Sequence, residues 1–236
     1  MKEACILLMV RSPEQGKVKS RLAKSIGDVC ALELYKCFVQ DVLTTLEGIS
    51  ADLKIGFYPP SGEECVRDWL GEGIDLVPQH GEDLGGKQAG LLERAYKMGY
   101  GYALVMISDA PDIPRSLVED AVEALRSADS VIGPCHDGGY YLIGFSSGSY
   151  SREFFRGIPW GGNEAATRMA ERIEGSGLTL TLLQPWWDID DLADLEYMYR
   201  RTLKNGYPVR TVSCIRREDI LHEAGNKDLG DNTGAQ

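Results

Sequence analysis

Four clusters in this chain carry residue types able to do chemistry. The first runs Arg11-Ser12-Pro13-Glu14-Gln15-Gly16-Lys17-Val18-Lys19-Ser20-Arg21-Leu22 and follows the first apolar run. It gathers Arg11, Lys17, Lys19 and Arg21 in a chain that is otherwise acidic. Arginine grips phosphate with two parallel hydrogen bonds and lysine acts as a point charge. Gly16 lets backbone approach a ligand closely. Loops beyond the carboxyl ends of strands are where open α/β sheets hold ligands. The pattern points to a phosphate-bearing ligand, although it is neither a Walker loop nor Gly-x-Gly-x-x-Gly. The alternative is a solvated basic loop.

The second cluster is Ser108-Asp109-Ala110-Pro111-Asp112-Ile113-Pro114. Asp109 ends the most apolar run of the middle chain, where a carboxylate is costly unless paired or metal-bound. Magnesium commonly takes one or two protein carboxylates and completes its shell with phosphate oxygens and water. Asp112 is expected to cap the following helix instead. The third cluster, Asp137-Gly138-Gly139-Tyr140-Tyr141, fits a hairpin turn, yet a plain turn does not account for the flanking Asp and tyrosines. In the fourth, Trp186-Trp187-Asp188-Ile189-Asp190-Asp191-Leu192-Ala193-Asp194, alternation on an extended segment points Asp188 and Asp190 the same way. Either could supply a second metal ligand, while Asp191 and Asp194 fit an acidic helix start. His80, His136 and His222 are scattered and give no zinc spacing; His136 stands out only for its neighbour Asp137.

The bulk composition narrows the classes of partner. Lys and Arg number 25 against 36 Asp and Glu, a net charge of −11. Nucleic acids and anionic membranes want a basic stripe, so neither is expected as a partner. A small phosphate ligand remains compatible, since a divalent metal can bridge acidic protein and acidic ligand. The cysteines (5, 30, 37, 65, 135 and 214) form no Cys-x-x-Cys pair and read as reduced, small core residues of a cytoplasmic protein. The apolar run 4–10 is too short for a signal segment, and no run approaches a membrane span.

The elements that must position these clusters alternate strand-like and helix-like stretches. That is the pattern of a mostly parallel sheet covered on both faces, an α/β/α sandwich. Strands are expected at 4–10, 52–58, 74–77, 103–107, 131–133, 140–145 and 178–183, with a further one at 209–215. The closeness of 131–133 and 140–145 across a Gly-Gly turn implies a local antiparallel pair. Helices are expected from Asp28 to near Gly48 and from a Ser61/Glu64 capping box to about Gly71. Others follow a Gly81/Gly85/Gly86 loop from about Lys87 to Met98, start at Pro114 and run to about Ala128, and cover 163–174. A last helix begins at Asp190 or Asp191 and ends at Gly206. One domain over 1–224 is expected, with a polar, disordered tail at 225–236.

Taken together, Lys19-Ser-Arg-Leu22, Ser108-Asp-x-Pro111, Asp137-Gly-Gly-Tyr140 and Asp188-x-Asp190 before a late helix resemble the nucleotide-diphospho-sugar transferase superfamily, with its glycosyltransferase-A fold. Within it the chain resembles the selenodomain-associated transferase branch. It is also similar, around 17–46, to the phospholactate guanylyltransferases and so to the molybdopterin-type nucleotidyltransferases. The resemblance spans roughly residues 4–200. It implies that Arg11, Ser12, Gly16, Lys17, Lys19 and Arg21 hold the nucleotide. It further implies that Asp109 and Asp190, with Asp188 beside them, hold Mg²⁺ or Mn²⁺, and that Asp137, Gly138, Gly139 and Tyr140 face an acceptor. The chain departs from the nucleotidyltransferase pattern in having Gly16 nearly alone in its loop and Asp191-Leu-Ala after the late Asp-x-Asp.

The reaction expected is nucleotidyl transfer from a nucleoside triphosphate to a small phosphorylated or hydroxyl acceptor, with Lys19, Arg21 and Asp109 as the catalytic set and pyrophosphate as the leaving product. Glycosyl transfer from a nucleoside-diphosphate sugar is the rival reaction, and a nucleotide-binding protein without turnover is the rival class. A homodimer edge at 207–215 is conceivable from sequence.

Overall fold

The computed structural model of the protein describes residues 2–203 and 207–221. His222, the expected helix end at Gly206 and the expected tail at 225–236 lie outside the described residues. The chain forms two compact units, neither of them a continuous stretch. One comprises residues 1–12, 45–108 and 113–187, and the other 13–44, 109–112 and 188–236.

The first unit carries the sheet. Its strands are β1 (Lys2–Arg11), β2 (Asp52–Tyr58), β3 (Leu76–Pro78), β4 (Tyr100–Ile107), β5 (Ser130–Pro134), β6 (Tyr140–Ser146) and β7 (Leu180–Leu182). Among the described residues they form one seven-stranded sheet in the order β3-β2-β1-β4-β6-β5-β7. β1 pairs in parallel with β2 and β4, β2 with β3, and β5 with β7. Only β6 runs against its neighbours, pairing Met106 with Leu142 and Ile132 with Ile143. The mostly parallel mixed sheet and the antiparallel hairpin are therefore as the apolar runs and the Gly-Gly spacing imply. Ile6, Leu7 and Leu8 are buried in succession, which is the signature of a strand enclosed on both faces.

Alternate residues of these strands build one face of the core. Cys5 and Leu7, Ala103 and Val105, and Ile143 and Phe145 pack with Leu91 and Leu92 of α4 (Leu84–Lys97) and Met169 and Ile173 of α6 (Ala165–Gly175). α4 comes so near β2 that a Cβ on Gly56 would lie 2.6 Å from Leu91. α3 (Glu63–Leu70) and α5 (Arg115–Ala124) complete the helices of this unit.

The second unit is helical. Leu22 of α1 (Ser20–Ile26), Leu34 and Phe38 of α2 (Asp28–Leu46), Leu195 and Met198 of α7 (Leu192–Thr202) and Ile215 of α8 (Val209–Arg217) share one buried cluster. α7 opens on a capping box: Asp191 accepts from the Ala193 and Asp194 amides, and Asp194 accepts in return from Asp191. That is the structural use expected of these two carboxylates.

Several local expectations are corrected. The 209–215 stretch is helical, not a strand. Its β-branched content suggested extension, but Val212 and Ile215 recur at helical spacing and are buried, while Val209, Ser213 and Arg216 face outward. α1 occupies part of what reads as loop, since this short, mostly polar stretch buries a single residue, Leu22. The Ser61/Glu64 capping box is absent; Gly62 stands at the N-cap of α3 with no side-chain bond. α4 begins at Leu84, so Gly85 and Gly86 lie in its first turn, capped by Asp83 accepting from Gly86 N at 2.7 Å. Pro114 precedes α5 rather than opening it. Pro114, not Asp112, stands at the N-cap of α5; Asp112 grips Arg201 of α7 through both oxygens, at 2.6 and 2.8 Å. Cys65 is exposed, not a core residue, whereas Cys5, Cys135 and Cys214 are buried.

The start of α8 depends on a carboxylate from another helix. Asp41 of α2 is 1% exposed and accepts from the amides of Arg210 and Thr211 and from the Thr211 hydroxyl. It acts as a remote N-cap for a helix whose own cap position is proline. Asp41→Ala leaves these buried donors unmet and is expected to lower unfolding stability by about 3 kcal/mol in urea titrations. A loss no larger than that of an exposed Glu→Ala control removes Asp41 from this role.

Candidate active site

In the second unit a single ammonium draws the acidic residues together. Lys19 Nζ donates to the Ile189 carbonyl at 2.6 Å and lies 2.8 Å from Asp109 Oδ2 and 3.5 Å from Asp190 Oδ1. Three N–H groups thus meet three acceptors. The side chain is only 6% exposed. Burial by itself pushes the Lys19 pKa down, but Asp109, then Asp190 and Asp188, outweigh it, so the net shift is upward from 10.5. Arg21 closes the group from the exposed side, with Nη1 3.0 Å from Asp190 Oδ2.

The backbone is bent to make this contact. Lys19 sits at the N-cap of α1 with φ 46° and ψ 47°, the left-handed region. A non-glycine residue there carries strain on the order of 1 kcal/mol, which persists where surrounding contacts over-determine it. Gly16, at φ 73°, turns the loop just before it. The 188–190 stretch is held by Ile189 N donating to Asp109 O at 2.9 Å. Ile189 is fully buried while Asp188 and Asp190 are half-buried, so the alternation read from sequence is the one observed.

The structure therefore brings together Lys19, Arg21, Asp109 and Asp190, and places the Asp188 charge within reach of Lys19. It changes the immediate task of Lys19, whose donors are committed to carboxylates and a carbonyl rather than left open for phosphate. Asp109 and Asp190 stay 31% and 41% exposed. Solvent-open carboxylate oxygens of this kind suit a hard, oxygen-ligated divalent cation. Lys17 is exposed, its backbone amide donating to Glu14 O.

Arg11 and Ser12 belong to the first unit. The Arg11 guanidinium lies over the Tyr58 ring at 5.4 Å, and Lys87 Nζ lies over the same ring at 3.6 Å. Two cations thus gather at the carboxyl ends of β1 and β2, a placement suited to an anion. Lys87 was not legible as a site residue; its only sequence signal is its place after Gly85-Gly86 at a helix start. Ser12 is 1% exposed, packed under Gly62, and its amide donates to Tyr58 O, so its hydroxyl is closed off from a ligand.

The Asp137–Tyr140 turn joins β5 to β6 in the first unit. Asp137 Oδ1 accepts from Gly139 N at 2.8 Å, and Cys135 N donates to Gly139 O. Gly138 has φ 91°, and a Cβ there would strike the Asn163 carbonyl. Close packing against the lead-in to α6 thus accounts for this glycine. Tyr140 is buried, its hydroxyl donating to Gln88 Oε1, and burial raises its pKa. Asp137 alone of this group is exposed. His136 stacks on Trp187 with ring centroids 3.9 Å apart.

Comparison with known proteins places the chain among transferases. Residues 42–162 match the family described as "Uncharacterized protein conserved in bacteria (DUF2064)". A Desulfovibrio desulfuricans G20 crystal structure, solved as a candidate nucleotide-diphospho-sugar transferase, is 37% identical. It covers 96% of this chain and 98% of its own, with a TM-score of 0.89. CMP:2-keto-3-deoxy-manno-octonic acid synthetase in complex with CTP shares the fold at 13% identity and a TM-score of 0.53, covering 86% of this chain and 99% of its own. A Mycobacterium tuberculosis H37Rv protein in complex with manganese does so at 15% identity and 0.51, covering 87% and 100%. No curated protein matches the chain. Among the described residues no helix is long and apolar enough to cross a membrane.

Lys19→Met removes the central ammonium and leaves its carboxylates facing one another. Because those partners are partly solvated, the expected loss is about 2 kcal/mol at neutral pH. The folded pKa of Lys19 lies above its ordinary value, so its contribution is complete below 10.5 and is lost as pH rises through the folded value. The stability gap between the two proteins, read by denaturant melts, is expected to stay flat through neutral pH and close only in strong alkali. A gap that closes near neutrality contradicts the arrangement.

Proposed function

The chain belongs to the DUF2064 family and to the nucleotide-diphospho-sugar transferases, and from that premise we propose that it is a metal-dependent nucleotidyltransferase. The observation that carries the reading is the Lys19-centred pair of open carboxylates, Asp109 and Asp190, in the loops after β4 and before α7. In the proposed reaction a nucleoside triphosphate reacts with a small phosphorylated or hydroxyl acceptor and pyrophosphate leaves. Mg²⁺ or Mn²⁺ would be held by Asp109 and Asp190, with Asp188 beside them. The manganese complex of the mycobacterial protein and the CTP complex of the synthetase support both kinds of ligand for this fold. Bound there, the ion would neutralise charge on phosphate oxygens.

The chain's own residues do the rest. Lys19 keeps the two carboxylates convergent. Arg21, 66% exposed, can swing from Asp190 to phosphate oxygens. Arg11 and Lys87 offer a separate anion contact in the first unit, and Lys17 a further exposed cation. Asp137, not the buried Tyr140, is the acceptor-facing group of the hairpin in this reading. Positioning and electrostatics then carry the rate, since an acceptor phosphate is already a nucleophile.

The 37%-identical relative favours a second reading, glycosyl transfer from a nucleoside-diphosphate sugar. Product analysis separates the two. Incubation with each nucleoside triphosphate, Mg²⁺ or Mn²⁺ and a panel of sugar-phosphate and alcohol acceptors is expected to release pyrophosphate; release of nucleoside diphosphate from a nucleotide sugar establishes the rival. Asp109→Asn is expected to cut metal-dependent turnover on the order of 100-fold while the protein stays folded, with a lower melting temperature because Lys19 loses its nearest counter-charge. Unchanged turnover takes Asp109 out of the mechanism. Lys87→Ala is expected to weaken nucleotide affinity about 10-fold, the scale of one charge-assisted contact, in a calorimetric titration; equal affinity makes Lys87 a surface residue.

A further inference from the structure

We propose that Cys37 and Cys214 form a dithiol site that hydroperoxides convert to a disulfide between α2 and α8. The two thiols are hydrogen-bonded to one another. Cys37 is half-buried on α2 and Cys214 is buried on α8, both packed into the apolar cluster of the second unit. Arg217 Nη2 lies 3.9 Å from Cys214 Sγ.

A contact between the two helices holds this pair in place. Asp41, one turn beyond Cys37 on α2, holds the Thr211 amide and hydroxyl, one turn before Cys214 on α8. The pair is thus pinned within a turn by a buried hydrogen-bonded contact. Cys5 and Cys135 are buried in the first unit, and Cys65 is exposed on α3.

The chemistry divides between the two thiols. The hydrogen bond with Cys214 lowers the Cys37 pKa, with Arg217 assisting and burial, Asp41 and Glu33 opposing. The Cys214 pKa is raised by that same hydrogen bond and by burial. Cys37, half-buried and so within reach of a small oxidant, is the attacking sulfur, and the buried Cys214 the resolving one. The Cys37 thiolate attacks the terminal oxygen of the hydroperoxide, the O–O bond breaks, and the departing alkoxide or hydroxide takes a proton. The resulting Cys37 sulfenic acid is attacked by the Cys214 sulfur. An S–S bond forms, and the sulfenic hydroxyl leaves as water with the Cys214 proton. The thiols supply two electrons and the hydroperoxide accepts them.

The test uses the full chain, reduced and then treated with a small excess of hydrogen peroxide. Alkylatable thiols under denaturing conditions are expected to fall from six to four per chain. Non-reducing peptide mapping should show Cys37 joined to Cys214, and dithiothreitol should restore all six. The oxidised protein should melt several degrees higher, and a Cys65→Ser background should behave the same. Cys37→Ser and Cys214→Ser should each abolish the intrachain link. Retention of six thiols, over-oxidation of Cys37 with Cys214 still free, or cross-linking only between chains each overturns the proposal.

Discussion

An ammonium cannot be buried alone, and the second unit is arranged around that fact at Lys19. Withdrawing it from water costs several kcal/mol unless opposite charge and hydrogen-bond acceptors replace the lost hydration. Asp109 supplies one acceptor, Asp190 a second and the Ile189 carbonyl a third. These come from the loop after β1, the turn after β4 and the stretch before α7. Meeting the demand of one cation therefore fixes three segments remote in sequence. The left-handed backbone at Lys19 is the local cost of aiming that side chain, and it is small beside the charge it satisfies.

The other acidic residues nearby are used differently, and their burial tells them apart. Asp112 has a side chain only 3% exposed and is fully engaged by Arg201. Asp41 is spent on the N-terminus of α8, and Asp191 and Asp194 on that of α7. Each of these carboxylates stabilises a helix or locks two together. Asp109 and Asp190 keep 31% and 41% of their side-chain surface in solvent although each faces a buried cation. Structure alone would favour enclosing them. Their openness is what sets them aside as groups available to a ligand.

Much of the fold was legible because it rests on short-range pattern. β2 falls on the expected Asp52–Tyr58, bounded by Pro59 and Pro60, and the antiparallel β6 follows from the spacing across Gly138 and Gly139. What was not legible depends on partners far away in the chain. Asp112 looks like a cap until Arg201, 89 residues on, is brought to it. Lys19 reads as a phosphate ligand until the Ile189 carbonyl, 170 residues on, takes one of its protons. α8 misleads for another reason: with three β-branched residues, Thr211, Val212 and Ile215, buried over about two and a half turns, strand and helix patterns are nearly degenerate. Its helical state is decided by Asp41, whose carboxylate offers the first amides of a helix what a strand could not give them.

The commitment of Lys19 also shapes what the carboxylates can do in the proposed reaction. Left to themselves, convergent carboxylates repel and splay apart, and a metal would have to assemble the site as it bound. An internal counter-charge removes that requirement, since Asp109 and Asp190 already converge on one point. The same charge opposes an arriving dication, so a bare ion gains less here than at an uncompensated pair. Counting Asp109, Asp188 and Asp190 against Lys19 and Arg21 leaves one net negative charge, which is weak attraction for a free ion. A dication carried by nucleotide phosphates brings its own oxygen ligands and needs only one or two from the protein. The balance at Lys19 thus favours taking metal and nucleotide together over holding a resident ion.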